Sequence, residues 1–354
     1  GIAQADLFDS ITGNERISLP VENDGVPQEK PVPPLEAAPE GAAHTLSARY
    51  DKPYHAHGSI GPSAGAAVWR DDGLQVWSHS QGIYFLRSAI AEAFGLAEEN
   101  VQIEHVPGAG CYGHNGADDA GFDAALIARA LPGTPILLKW SREEEHSWAP
   151  YATAMSLELQ ASLDADGKVM TWSHESYGDT FMMRPRSGPN MAGAARLLSS
   201  RFREDPPPPF IAGPTIGRHV GLHRNLDPLY TFPNKRLVKN LVRDLPLRTS
   251  ALRTLGAFAN VFALESFMDE LAEAAGIDAI AFRLNHLEDP RGREVIETLA
   301  RHIDLDVDDG RGRGIGFAQY KNLKAYAAVY VELEVNDAAE IVLHRAVLAG
   351  DAGE

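Results

Sequence analysis

Trp77-Ser78-His79-Ser80-Gln81, followed after a helix and a strand by Gly108-Ala109-Gly110-Cys111-Tyr112-Gly113-His114, is the stretch that decides how this chain is read. Between the two segments Ile83, Leu86, Ile90 and Phe94 recur at helical spacing and Gly95 closes the run, which predicts a helix over 83–94. Residues 101–105 read as a strand that feeds the glycine loop. Beyond the loop, Asp118 and Asp119 suit a helix N-terminus, so a helix is expected over about 118–131, then a strand over 136–140. Upstream, 66–69 and 74–77 flank Asp71-Asp72-Gly73 and predict a hairpin. The order strand, helix, strand, loop, helix, strand argues for an α+β fold of mixed sheets with helices.

Further out, Met155, Leu157, Leu159, Ala161 and Leu163 alternate with polar residues. With the turn Asp164-Ala165-Asp166-Gly167 they predict a hairpin over 154–176. The stretch 180–235 is irregular, with prolines at 206–209, and suits a binding or interface loop. Apolar residues including Phe258, Phe262, Leu264, Met268 and Leu271 predict a buried helix over 257–275, stopped by Gly276. A charged helix is expected over about 290–302, a glycine turn over 310–316, and paired strands over 325–335 and 340–349. Residues 1–43, with Pro27, Pro31, Pro33, Pro34 and Pro39, read as an extended connector. The start lacks an initiator Met and the end stops just after a strand-like run, so the chain reads as a piece cut from a longer protein, incomplete at both ends.

The 354 residues suit about two domains, and 44% hydrophobic with 23% charged residues argues against a disordered chain. A net charge of -17 would repel a phosphate backbone, which excludes nucleic acid as a partner. The single cysteine, Cys111, rules out an intrachain disulfide and any cysteine-ligated cluster built from this chain alone. No run approaches the roughly 20 apolar residues of a membrane span. His55 and His57 have no third ligand at metal spacing, so no metal held directly by protein side chains is expected.

Three motifs carry chemistry. Glycines between a strand and a helix let backbone N–H groups approach an anion or an oxo group, although the loop alone reads equally as a tight turn. Gln81 can donate a hydrogen bond without titrating; its bland alternative is a cap on the following helix. In Leu247-Arg248-Thr249-Ser250-Ala251-Leu252-Arg253-Thr254-Leu255-Gly256, Arg253 can meet an anionic group, or else form a surface salt bridge.

Taken in order, these segments resemble the molybdopterin-binding large subunit of the xanthine dehydrogenase and aldehyde oxidase family. The family pattern is Ser-Thr-Gln, then Gly-Gly-Gly-Phe-Gly-Gly-Lys, then an Arg-Glu-Glu/Asp step, then Ala-Phe-Arg-Gly-Phe-Gly. Here these stand as Ser78-His79-Ser80-Gln81, Gly108 to His114, Ser141-Arg142-Glu143-Glu144, and Ala251-Leu252-Arg253-Thr254-Leu255-Gly256 before a helix holding Glu265. The loop variant is most like the large subunits of bacterial isoquinoline 1-oxidoreductase, where this is the beta subunit, and nicotinate dehydrogenase.

The resemblance implies that Gln81, Gly110, Cys111, Tyr112, Gly113, Arg253 and Thr254 contact the cofactor. It implies that His114, Asn115 and Leu255 line the substrate pocket. The implied cofactor is molybdopterin, in the cytosine dinucleotide form, carrying molybdenum. Fe–S clusters would sit on a small 2Fe–2S partner subunit, with a c-type cytochrome as an acceptor. The substrate would be an N-heteroaromatic or an aldehyde, in the bacterial cytoplasm or periplasm. The implied domains are 44–309 as the first molybdopterin-binding domain and 310–354 as the start of a second. Departures are Cys111 and Tyr112 for the family's Phe-Gly, His114 for Lys, and Leu255 for Phe, which weakens the sandwiching of a purine-like ring. The Met-Gly-Gln-Gly loop and the segment supplying the catalytic Glu are missing, and Glu354 belongs to an upstream stretch. The expected base therefore lies beyond the C-terminus and the isolated chain is expected to be inactive. The alternatives are a non-catalytic cofactor-binding or subunit-interaction module, and an unrelated α+β domain whose glycine loop is only a turn.

Overall fold

The computed structural model describes residues 4–22, 24–186, 193–305 and 307–353; Glu354 and the residues before 4 lie outside them. Among the described residues three sheets organise the chain. The first elements are α1 (Gln4–Gly13), β1 (Arg16–Glu22), β2 (Val26–Pro27) and β3 (His44–Lys52). Next come β4 (Ala64–Arg70), β5 (Gly73–Ser78), α2 (Ile83–Phe94), β6 (Val101–His105), α3 (Ala117–Ala130) and β7 (Ile136–Lys139). The strands of this second group form a four-stranded sheet in the order β6-β5-β4-β7, parallel only at β5-β6. Leu74, Val76 and Val101 of that sheet meet Leu86, Ile90 and Phe94 of α2 and Phe122 and Ala125 of α3 in one apolar cluster.

The largest sheet adds β8 (Met155–Leu163), β9 (Val169–Gly178) and β10 (Lys235–Val242), in the order β2-β1-β10-β9-β8-β3. Helix α5 (Ala257–Ala275) packs on it through Ala263, Phe267, Met268 and Leu271, against Leu157, Leu159 and Trp172. Short helices α4 (Arg142–Trp148) and α6 (Ala279–Asn285) precede and follow, then α7 (Pro290–Ala300). The last sheet is β11 (Gly312–Gln319), β12 (Tyr326–Val335) and β13 (Ile341–Asp351), an antiparallel meander. Phe317, Tyr326, Ala328 and Tyr330 of this sheet join the same apolar cluster as Phe267.

Three expectations are corrected. Residues 1–43 are not all connector. Leu7 and Ile11 sit one helical turn apart on α1 and are buried, and β1 pairs with β10 from Arg16 to Pro20. Proline density hid this, because Pro20 stands inside the strand; 28–43 carry no helix or strand. The glycines at 310–316 are not a turn. Gly312, Gly314 and Gly316 alternate with Arg313, Ile315 and Phe317 at the period of a strand. Helix α5 is not buried all round, since Phe258 and Phe262 are each 53% exposed. The irregular stretch 180–235 runs up to β10, a central strand that the sequence reading leaves unassigned because polar side chains interrupt its pattern.

The last sheet is unusual in having two apolar faces. Gly312, Gly314, Gly316 and Ala318 stand opposite Leu333, Val331, Val329 and Ala327. Those in turn stand opposite Leu343, Ala346, Leu348 and Gly350. Leu343 and Leu348 are 60% and 69% exposed. Among the described residues no helix is long and apolar enough to cross a membrane.

Candidate functional site

Two serines turn the chain at the end of β5. Ser78 Oγ accepts the Ser80 N–H at 3.2 Å and donates to the Ala117 carbonyl at 3.2 Å, while Ser80 Oγ accepts the Gly82 N–H at 3.0 Å. Gln81 is thereby fixed at the entrance to α2. Its Oε1 accepts the Gly113 N–H at 3.1 Å. The amide nitrogen makes no hydrogen bond among the described residues, so a neutral donor faces outward.

The glycine loop turns through left-handed backbone at Gly110 (φ 104), Tyr112 (φ 52) and Gly113 (φ 133). Glycine is required at 113 for a second reason: a Cβ there would lie 2.1 Å from the Ala251 carbonyl oxygen. That closeness lets the loop dock on 249–256. His114 N–H donates to the Ala251 carbonyl at 2.6 Å, and Arg253 N–H donates to the Tyr112 carbonyl at 2.7 Å. Gly113 and Leu252 form an antiparallel bridge. Thr254 (φ 75) and Leu255 (φ 53) are left-handed without being glycine, at a cost of about 1–3 kcal/mol each.

His114 and Asn115 do not line an open pocket; they are 1% and 0% exposed. After the tight turn both side chains bend inward; the Asn115 amide is hydrogen-bonded at both ends, whereas His114 Nε2 is buried without a hydrogen-bond partner among the described residues. His114 Nδ1 pairs with Ser250 Oγ at 2.7 Å, and Nε2 lies 3.6 Å from Asp118. Burial, helped by the nearby Arg184 and Arg248, holds this imidazole well below its ordinary pKa, so it is neutral. Asn115 Nδ2 donates to Ser59 Oγ at 3.1 Å and to the Gly110 carbonyl at 3.2 Å, and its Oδ1 accepts the Ala117 N–H at 3.1 Å. Cys111 also turns inward, with Sγ 3.1 Å from the Gly113 carbonyl and 3.2 Å from Asn115 Oδ1.

Tyr112, Leu252, Arg253, Thr254, Leu255 and Phe258 form one wall of a cleft of about 570 Å³; Lys52, Tyr54, His55, Ala56, His57 and Ala152 form the other. No carboxylate lines it, although the chain as a whole is strongly acidic. His57 Nε2 lies 2.9 Å from the Ala251 carbonyl, and burial lowers its pKa. Lys52 is pushed down to about 8 by burial, with Nζ held by the Thr153 and Pro53 carbonyls at 2.8 and 3.1 Å. Arg253 is exposed and forms no ion pair among the described residues. The surface salt bridge weighed for it is absent there, and its five donors are free. A free cationic donor at Arg253, an aromatic wall and no acidic group in the lining suit an anionic pterin, and Gln81 lies beyond the lining, bonded to Gly113 next to Tyr112. A groove of about 360 Å³ beside 33–36 offers less, because its Lys235 and Arg236 are already paired with Asp227 and Glu175.

Gln81, the glycine loop and the 251–256 segment are neighbours in the fold, joined by the Gln81–Gly113, His114–Ala251 and Arg253–Tyr112 hydrogen bonds. Arg184, Ser250 and the 52–57 wall join them without any local signal in the sequence. His55 and His57 were tested only as metal ligands, and their neighbours at 252–258 are some 200 residues away in sequence. Among the described residues no cluster of three His, Cys, Asp or Glu is placed to hold a metal ion.

The chain matches the family model described as molybdopterin cofactor-binding domain over residues 26–201 and 214–287. It is 32% identical to a nicotinate dehydrogenase chain of Pseudomonas putida, across 99% of this chain and 29% of that protein. It is 29% identical to the aldehyde oxidoreductase molybdenum-binding subunit PaoC of Escherichia coli, across 87% of this chain and 41% of that one. The chain thus spans well under half the length of these curated relatives. Among solved structures, the aldehyde oxidoreductase of Desulfovibrio gigas superposes with a TM-score of 0.60 at 17% identity, over 93% of this chain and 35% of that one. This last likeness concerns the fold alone. With more than half of its length matched, the chain belongs to the molybdopterin cofactor-binding domain family.

Proposed function

We propose that this chain forms the cofactor-holding part of an oxidoreductase that hydroxylates an N-heteroaromatic or oxidises an aldehyde with oxygen taken from water. The observation that carries the reading is the pairing of two free donors, the Gln81 amide and the Arg253 guanidinium, on loops that hydrogen-bond to each other beside a cleft without carboxylates. Residues 44–309, with the strand at Arg16–Glu22, are assigned to a first molybdopterin-binding domain and 310–354 to the start of a second.

When bound, the molybdenum–pterin group supplies the two-electron and oxygen-transfer chemistry. This chain's residues hold and orient it. Gln81, its Oε1 held by the Gly113 N–H, would present its amide nitrogen to the group as a donor without adding charge. Gly110, Cys111 and Tyr112 would offer backbone N–H groups, Gly113 would hold the Gln81 amide in place through its own N–H, and Arg253 and Thr254 would meet the anionic pterin. Leu255, with Tyr112 and Phe258, forms the apolar wall against which a planar substrate lies. The family's proton-accepting glutamate is assigned to none of these residues. The cytosine dinucleotide form of the pterin, a small 2Fe–2S subunit and a c-type cytochrome acceptor complete the reading.

The test is metal and pterin analysis of the full-length protein purified with its neighbouring subunits, beside Gln81→Ala, Arg253→Ala. Stoichiometric molybdenum in the parent, and about 10-fold less content or turnover in the variant, is expected. Molybdenum absent from both would overturn the assignment.

A further inference from the structure

Arg184 leaves the end of the β9 region and crosses behind the glycine loop. Its Nη2 donates to the Gly113 carbonyl and lies 3.8 Å from Cys111 Sγ. Its Nε stands 3.9 Å from the buried Asp118 carboxylate, a distant counter-ion. The arm also lies along Gly82: a Cβ there would sit 2.9 Å from Arg184 Cδ and 3.3 Å from Nε. Glycine at 82 therefore leaves the room through which Arg184 reaches the loop. Gly82 adopts φ -130, a conformation open to any residue, so its need is spatial. The backbone that carries Arg184 is itself braced, because Arg196 Nη1 donates to the Met182 and Arg184 carbonyls at 3.1 and 2.9 Å.

Gly113 thus has its two polar ends held by different side chains. The carbonyl accepts from Arg184 and from Cys111, and the N–H donates to Gln81 Oε1. We propose that Arg184 is a positioning residue, which sets the orientation of the Gln81 amide by fixing the Gly113 backbone from behind. The inference rests on the reading that Gln81 serves the bound cofactor. An arginine fits the task because its planar fork stays charged and can engage several acceptors at once; a lysine offers a point charge without the fork.

The experiment uses the full-length protein with its neighbouring subunits, in the variants Arg184→Met, Arg184→Lys, Gly82→Ala, Gln81→Ala and the Arg184→Met/Gln81→Ala double. Three readouts are taken: molybdenum content, kcat against KM, and hydrogen–deuterium exchange of the 110–115 peptide in cofactor-free protein. Arg184→Met is expected to speed exchange over 110–115 and to lower molybdenum content or kcat about 10-fold, with KM little changed. Arg184→Lys recovers part of this, and Gly82→Ala, which only displaces the arm, gives a smaller loss in the same direction. In the double variant the two losses are not additive, since both act through one amide. Additive losses, or unchanged exchange over 110–115 in Arg184→Met, overturn the role of Arg184 while leaving Gln81 in place. Full molybdenum content and turnover in Gln81→Ala overturn the underlying reading, and this inference with it.

Discussion

The two loops that meet at the cleft reach left-handed backbone by different means. The 108–113 loop uses glycine at two of its three such positions, whereas the 251–256 loop places Thr254 and Leu255 there. Glycine adopts that region at no steric cost, but a β-branched threonine or a leucine stays there only when its surroundings over-determine it. The surroundings are identifiable. Arg253 N–H is held by Tyr112, Leu255 N–H by Leu252, and Gly256 N–H by the Gly221 carbonyl. One loop is therefore pre-shaped by its composition, and the other is shaped by docking against it and against 221. Strain of this kind collects where a ligand needs a fixed backbone, here next to the free Arg253 guanidinium.

Breaking the dock should have the largest effect. Gly113→Ala drives a Cβ to within 2.1 Å of the Ala251 carbonyl at a φ that suits only glycine. Overpacking and backbone strain together should cost about 3 kcal/mol or more. Denaturant melts should show this, together with loss of bound molybdenum from the full-length protein. A loss under 1 kcal/mol would mean that the loops separate freely.

The histidine that ties the loops gives an intermediate effect with a definite sign. His114 is neutral in the fold because its pKa is depressed, while in the unfolded chain it titrates near its ordinary value of 6.5. Its contribution is fully present above pH 6.5 and is lost as pH falls below it, by up to ~1.4 kcal/mol per pH unit. His114→Gln should flatten the stability profile on the acid side by about one proton; an unaltered slope would remove His114 from the account. The smallest effect sharpens the contrast. Thr254→Gly relieves the strained position at the cost of greater freedom in the unfolded chain, for a net gain of up to about 1 kcal/mol. The same change at an ordinary loop position should destabilise, and a net loss at 254 would show that Thr254 is not strained.

Much of this was legible in the sequence where a regular period met a clear stop. Helix 83–94 ends at Gly95, which is left-handed and caps it, and helix 257–275 ends at Gly276 in the same way. The segments holding Gln81 and Arg253 both hydrogen-bond to the glycine loop, at Gly113 and Tyr112. What escaped reading lacked a local signal. Strand β10 is central, yet Lys239 and Asn240 are buried in it and interrupt its apolar pattern. Strand β1 carries a proline, and β11 hides its period among glycines. The inward turn of His114 and Asn115 depends on Ser250 and Ser59, partners too distant in sequence to be inferred. Arg184 lay in a stretch recognised only as irregular, and its role arises from a bond to a backbone carbonyl, which no side-chain motif records.

The outer face of the β11–β13 sheet has a consequence in colloid behaviour. A molecule of charge -17 keeps its copies apart through long-range repulsion. That repulsion is screened within about 8 Å at physiological salt. The uncharged face carrying Leu343 and Leu348 flanks the edge of β13, which pairs with no further strand among the described residues, and both become sticky once copies approach that closely. Dilute buffer of low ionic strength therefore disperses the chain, and added salt brings its bare sheets together unless another surface already covers them.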